Sequence, residues 1–263
     1  MQTDSPELSL LSIFSLFTFF IFLLLQKYSS SSLMSRTLDS DFSKPQAFHQ
    51  ELTPRIGGLA SIISFIVFIF LNNLMFSDFY FDYLVLGVSL FLIGFFDDIK
   101  AGISANWRLT LMTIVLFFFV RNYDIQINSI DVVFLDNLLK NQLFLNSFLV
   151  LCFLFIINGS NLIDGFNGLL SIHLIIINSI LFYTNLVNGN NELSIIIISQ
   201  TIILLSFLLF NFPKAKMFFG DSGSYLFGAL TALNIIYTNN MNPDISSFFF
   251  CILLFYLFFE VFF

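Results

Sequence analysis

The sequence predicts an all-α fold, a polytopic transmembrane helical bundle, and three observations predict it. Of 263 residues, 57% are hydrophobic and only 10% charged, where a soluble domain carries about a quarter charged residues. Mean hydropathy is +0.91. The apolar residues gather into nine runs separated by short polar segments, and helices are the spanning form that satisfies its own backbone over runs this long in lipid. The forty phenylalanines, with many isoleucines and asparagines, fit a coding sequence biased toward A and T and carry no functional weight.

The nine runs cover approximately residues 8–25, 56–76, 83–96, 108–121, 143–157, 169–187, 194–211, 224–238 and 246–263. A crossing needs about twenty residues, so the shorter runs borrow from their flanks. The start MQTDSPELSL is acidic and no small-residue cleavage site follows, which makes the first run a retained span and not a signal peptide. Residues 1–263 form one membrane domain without a long soluble insertion, a Pro-rich linker or an internal repeat. Cys152 and Cys251 lie inside apolar runs without metal-ligand spacing and read as small hydrophobes.

Orientation follows from lysine and arginine, which stay in the cytoplasm. Lys27, Arg36, Lys44, Arg55, Lys100, Arg108, Lys214 and Lys216 fall on one side and only Arg121 and Lys140 on the other. The first side is therefore cytoplasmic and the N-terminus lies outside. The net charge of −7 comes largely from acidic loops and gives no footprint for nucleic acid.

Four cytoplasmic segments carry polar residues that are costly beside a bilayer unless paired, solvated or bound to a cation. The first ends in His49-Gln50-Glu51-Leu52-Thr53-Pro54-Arg55-Ile56-Gly57-Gly58. Its proline and glycines fix a turn where backbone can approach a ligand, and Arg55 offers a forked donor suited to phosphate. The second holds Asp97 and Asp98, adjacent carboxylates that repel unless Mg²⁺, a cationic partner or water compensates; Arg108 could balance them. In the third, Asn158, Asn161 and Asp164 are spaced by three, which places them on one helical face. The following glycines free backbone amides to orient a diphosphate or a sugar. The fourth runs from Asn211 through Lys214, Lys216 and Phe218 to Gly220-Asp221-Ser222-Gly223. There the helix dipole keeps Asp221 ionised, a setting for Mg²⁺ carrying a nucleotide diphosphate. Neither a Walker A loop nor a Rossmann fingerprint occurs.

In this order the segments resemble the polyprenyl-phosphate N-acetylhexosamine-1-phosphate transferases, the membrane family that includes WecA and MraY (glycosyltransferase family 4). That family shows a histidine and a Pro-Arg/Thr-x-Gly-Gly turn, then Asp-Asp, then Asn-x-x-Asn-x-x-Asp-Gly, then Phe-x-Gly-Asp-x-Gly-Ser. The Thr-Pro-Arg-Ile-Gly-Gly form looks like the WecA-like branch, which uses UDP-N-acetylhexosamines. The resemblance implies catalytic roles for Asp97, Asp98 and Asp164, the aspartate pair binding or deprotonating a lipid phosphate. It implies substrate contacts for His49, Arg55, Asn158, Asn161, Asn167, Asn211 and Phe218, and Mg²⁺ or Mn²⁺ at Asp221. The implied reaction moves N-acetylhexosamine-1-phosphate, from UDP-N-acetylglucosamine, to undecaprenyl phosphate with release of UMP. That is a first step toward a lipid-linked envelope glycan such as O-antigen, in a bacterial inner membrane and within a homodimer.

Three departures stand out. Asn167 replaces a second family aspartate, and Asp97-Asp98 is followed by Lys100-Ala101 in place of the charged residue often found just downstream. Family members also continue past Glu260 into a basic, histidine-bearing loop, so the resemblance implies a truncated member. Other readings are a transporter or channel lined by the four aspartates, opposed by their clustering at one face, and an inactive truncated paralogue. Cysteines placed at positions 40, 100, 160 and 218 should label with an impermeant thiol reagent only from the cytoplasmic side; external labelling at any of them breaks this topology.

Overall fold

The computed structural model describes residues 6–29, 37–39 and 53–262. The helices are α1 (Pro6–Tyr28), α2 (Gly57–Phe76), α3 (Phe81–Asp98), α4 (Ala105–Asn122), α5 (Val133–Leu139), α6 (Gln142–Ile163), α7 (Leu169–Val187), α8 (Asn191–Asn211), α9 (Gly220–Met241), α10 (Ser247–Leu253) and α11 (Phe255–Phe262). The fold is all-α, with a minimal antiparallel ladder of β1 (Leu38–Asp39) and β2 (Thr53–Pro54) in which Leu38 faces Pro54 and Asp39 faces Thr53. The hydropathy pattern gives no sign of that ladder. Each of the nine apolar runs falls on helix. Five helices, α1, α2, α6, α7 and α8, are long and apolar enough to cross a membrane, and the chain is a multi-pass membrane protein. The run at 246–263 is two helices, α10 and α11, jointed at Leu254. The joint lets α11 lie along α6, with the Leu257 backbone against the bare Cα of Gly159.

Helix α9 is the axis of the bundle. It packs on α2, α3, α6 and α7, and almost every side chain from Gly220 to Thr238 is buried. Apolar contact alone does not fix register between helices in lipid, because lipid tails are equally apolar; small residues and polar ties do. The Tyr83 hydroxyl of α3 donates to Asn234 Oδ1 at 2.9 Å, and the Asn234 amide donates to Gln200 Oε1 of α8 at 2.7 Å. One turn on, Asn185 of α7 donates to Thr238 Oγ1 at 2.8 Å. Near the C-terminal end of α9, Tyr237 donates to Asp82 at 2.5 Å. Peripheral α1 is held by aromatic contacts instead, Phe14 on Phe68 and Phe22 on Phe210, with centroids 5.1 and 6.2 Å apart.

The end of the bundle where α2 and α9 begin is closed by backbone contact. Phe218 N–H donates to Pro54 O at 2.8 Å, Gly57 N–H to Phe218 O and Gly58 N–H to Phe219 O, both at 2.9 Å. The glycine pair serves a close approach of chain to chain. A Cβ on Gly58 would strike the Ser222 hydroxyl and the Gly223 amide, and one on Gly57 would stand 2.8 Å from Phe218 O. Gly58→Ala should therefore cost about 1–3 kcal/mol by overpacking, more than Gly87→Ala, whose new methyl meets side chains alone, the nearest being the movable end of Leu226 at 3.1 Å. Melting temperatures in detergent would check this; equal losses would show that the backbone contact carries no special weight.

Candidate active site

Helix α9 begins at Gly220, and its first-turn amides have no carbonyl of their own helix to bond. No local side chain caps it. The cap comes from α3: Asp98 accepts from Asp221 N–H and Ser222 N–H, each at 3.0 Å, and from the Ser222 hydroxyl at 2.5 Å. Asp98 is only 1% exposed. Gly220 makes room, because φ is +76° and a Cβ would meet the Asp98 carboxylate. Gly94, one turn earlier on α3, does the same beneath Asp221, where a Cβ would stand 2.5 Å from the Ser222 nitrogen. Arg55 approaches Asp98 Oδ1 at 4.0 Å.

This seat aims Asp221 at the remaining groups. Its Oδ1 accepts from the Asn161 amide at 3.1 Å, and Asn161 also donates to Ser224 Oγ at 3.0 Å. Its Oδ2 accepts from Arg108 Nη1 and, at 3.4 Å, from the Tyr225 hydroxyl. The same Arg108 nitrogen lies 3.1 Å from Asp97 Oδ2. Asp164 follows the last residue of α6 and takes no hydrogen bond on its carboxylate from the described residues. Burial holds its carboxyl well above the ordinary carboxylate range, and the charges of Asp221 and Asp98 push the same way while Arg55 pulls back.

The structure thus brings Arg55, Asp97, Asp98, Asn161, Asp164 and Asp221 to one place at the inner ends of α3, α6 and α9. The others make further contacts within the chain. Asn158 donates to Leu154 O of its own helix at 2.7 Å. Asn211 is buried and joins two loops, accepting from Gly168 N–H at 2.6 Å and donating to Met217 O at 3.0 Å. Asn167 donates to Pro213 O at 3.1 Å, and Phe218 engages Pro54 and Gly57 through its backbone. His49 lies outside the described residues. Ser222 and Tyr225 have no site role in the sequence reading, whereas Arg108, ten residues beyond the acidic pair, is read there as a possible counter-charge to it and is found to contact Asp221 as well.

A family model described as glycosyl transferase family 4 matches residues 80–239. The chain belongs to that family. Similar proteins include the phospho-N-acetylmuramoyl-pentapeptide-transferase of Prochlorococcus marinus, 32% identical over 74% of this chain and 56% of the relative. That of Clostridium perfringens is 29% identical over 69% of this chain and 60% of the relative. That of Streptococcus pneumoniae is 28% identical over 79% and 66%. The chain spans a little under two thirds of the length of these relatives. The glycosyl transferase family 4 match contains Asp97 to Asp221 with Arg108 and Asn161, whereas the Arg55 turn lies before it.

The two members of the aspartate pair differ in surroundings. Asp98→Ala would strand three donors inside the protein, at about 1–3 kcal/mol for each unsatisfied group, whereas the Asp97 side chain is 29% exposed and pairs with Arg108. Asp98→Ala should therefore lower the melting temperature far more than Asp97→Ala. Equal effects would remove the cap as Asp98's role.

Proposed function

We propose that this chain transfers a sugar phosphate from a UDP-N-acetylhexosamine to a polyprenyl phosphate, releasing UMP. The observation that carries the reading is the convergence of Asp97 and Asp221 on one point, the Arg108 nitrogen, at the end of the bundle where Asn161 and Asp164 also meet. A divalent cation fits there. Among the described residues no three His, Cys, Asp or Glu side chains cluster as a metal cage, but Mg²⁺ is commonly held by one or two carboxylates, with substrate phosphates and water completing the shell. Asp97 and Asp221 would hold it, with Asn161 fixing the second oxygen of Asp221. When bound, the ion supplies charge neutralisation to a diphosphate.

The remaining chemistry asks little of the protein beyond placement. A lipid-phosphate oxygen attacks the sugar-bearing phosphorus, a new P–O–P bond forms, and the bond to UMP breaks. One phosphoanhydride replaces another, so positioning and charge compensation suffice and no strong nucleophile is required. Arg55 is a donor for one phosphate and Asn161 holds the metal-side carboxylate in a single orientation. Asp98 acts by seating Asp221. The site faces the cytoplasm, where eight of the ten lysines and arginines lie, and all nine apolar helical runs cross a bacterial inner membrane.

The Thr53-Pro54-Arg55-Ile56-Gly57-Gly58 turn supports a UDP-N-acetylhexosamine donor, UDP-N-acetylglucosamine in the simplest case. The names of the relatives favour a second reading, a muramoyl-pentapeptide donor. Membranes carrying the chain should release UMP from UDP-N-acetylglucosamine with undecaprenyl phosphate and Mg²⁺, and Asp221→Asn should lose at least about a hundredfold in rate, as for removal of a main electrostatic contact. UMP release only from the UDP-muramoyl-pentapeptide would move the chain to the second reading. Undiminished turnover in Asp221→Asn would remove the metal role.

A further inference from the structure

We propose that Arg108 occupies the divalent-cation seat, so that metal entry and withdrawal of the Arg108 side chain are a single exchange. The proposal rests on the reading of Asp97 and Asp221 as metal-holding carboxylates, and adds to it that the protein carries its own competitor for their oxygens.

Three observations support it. One atom, Arg108 Nη1, contacts both Asp97 Oδ2 and Asp221 Oδ2. A fork that simply paired with carboxylates would divide its nitrogens among oxygens and gain bidentate geometry; this one places a single positive point between two carboxylates, as a metal ion would sit. The second observation is that the seat satisfies the arginine incompletely. Arg108 Nε is buried and has no hydrogen-bond partner among the described residues, and an unmet donor costs about 1–3 kcal/mol. The third is attachment. Arg108 stands in the first turn of α4, whose outward side chains Trp107, Leu109, Leu111, Ile114 and Phe118 are exposed, so the bundle does not clamp the side chain's root on every side.

The exchange has a chemical logic. Without metal, two carboxylates a few ångströms apart repel, and Arg108 offsets that repulsion. When a divalent cation takes their oxygens, arginine and metal repel each other, and the guanidinium is released close to where the ion would hold a diphosphate. The same positive group therefore serves the empty site as counter-ion and the filled site as a free forked donor.

The test uses the full chain, purified in detergent, and Mn²⁺ alone as probe. Bound Mn²⁺ is counted from loss of the free-ion electron paramagnetic resonance signal. Arg108→Gln should tighten Mn²⁺ binding by about tenfold or more, because it removes a competing charge at contact distance. Arg55→Gln removes a charge beside Asp98 and should tighten it much less. Equal tightening by the two variants would reduce the effect to net charge and overturn the proposal, as would no Mn²⁺ binding in Arg108→Gln.

If Arg108→Gln does not fold, wild-type protein decides the matter. Modification of Arg108 by phenylglyoxal, read by mass spectrometry of the peptide, should rise when Mn²⁺ is added and stay flat in Asp221→Asn. Reactivity unchanged or lowered by Mn²⁺ in the wild type overturns the exchange. UMP release is measured separately. A chain that exchanges Arg108 for Mn²⁺ yet releases no UMP keeps the exchange and loses the transferase reading, while the reverse result keeps the transferase and loses the exchange.

Discussion

The end of this bundle that holds the aspartates depends on one interaction, the Asp98 carboxylate on the first turn of α9. Either partner alone would be a liability: a buried carboxylate is costly without donors, and a buried helix start has amides without acceptors. Joined, they satisfy each other, with the Ser222 hydroxyl as a third donor. The contact requires the two helices to approach more closely than side chains allow. Gly94 and Gly220 permit that approach, as Gly57 and Gly58 permit α2 to reach the turn from Phe218 to Ser222. The orientation of Asp221 is a consequence of this packing, not an independent feature of its loop.

Towards the outer face the constraint changes. In lipid the bundle gains little from apolar contact between helices, and its register is carried by buried polar ties around α9, through Asn234 to Tyr83 and Gln200 and through Thr238 to Asn185. Each tie is individually weak, roughly 0.6 kcal/mol in measured membrane bundles. Their use is directional, because a slip of one residue along α9 would bury these polar groups without partners. The central helix therefore carries asparagine and threonine where a more peripheral helix such as α1 carries leucine and phenylalanine.

Hydropathy made the helices legible, since nine apolar runs in the sequence are helical in the structure. The jointed run at 246–263 was not, because no proline or polar residue marks Leu254 and the bend is decided by the seat that Gly159 offers α11. The aspartates, Asn161 and Arg55 were legible as site residues because charge beside a bilayer is costly and must be answered. The division of labour among them was not. Asp97 and Asp98 are identical in sequence terms, and only the position of α9 assigns one to the helix cap and leaves the other facing Arg108. Likewise Asn211 reads as a ligand contact in its motif, and the structure adds a buried staple between the α6–α7 and α8–α9 loops, a contact set by a residue 43 positions away.

Charge explains why the arrangement calls for a mobile cation. Four carboxylates, Asp97, Asp98, Asp164 and Asp221, meet two guanidiniums, Arg55 and Arg108, at the inner end of the bundle. The Asp98 charge is answered by helix amides, and desolvation raises the Asp164 carboxyl above the ordinary carboxylate range. That leaves Asp97 and Asp221 opposite Arg108, two carboxylates and one guanidinium with a net charge of −1, which a divalent ion would turn to +1. An anionic substrate would then restore neutrality, so on the proposed reading ion and diphosphate favour each other's binding. A site assembled from helix ends would in this way stay close to neutral when empty and become attractive to phosphate only with the metal present.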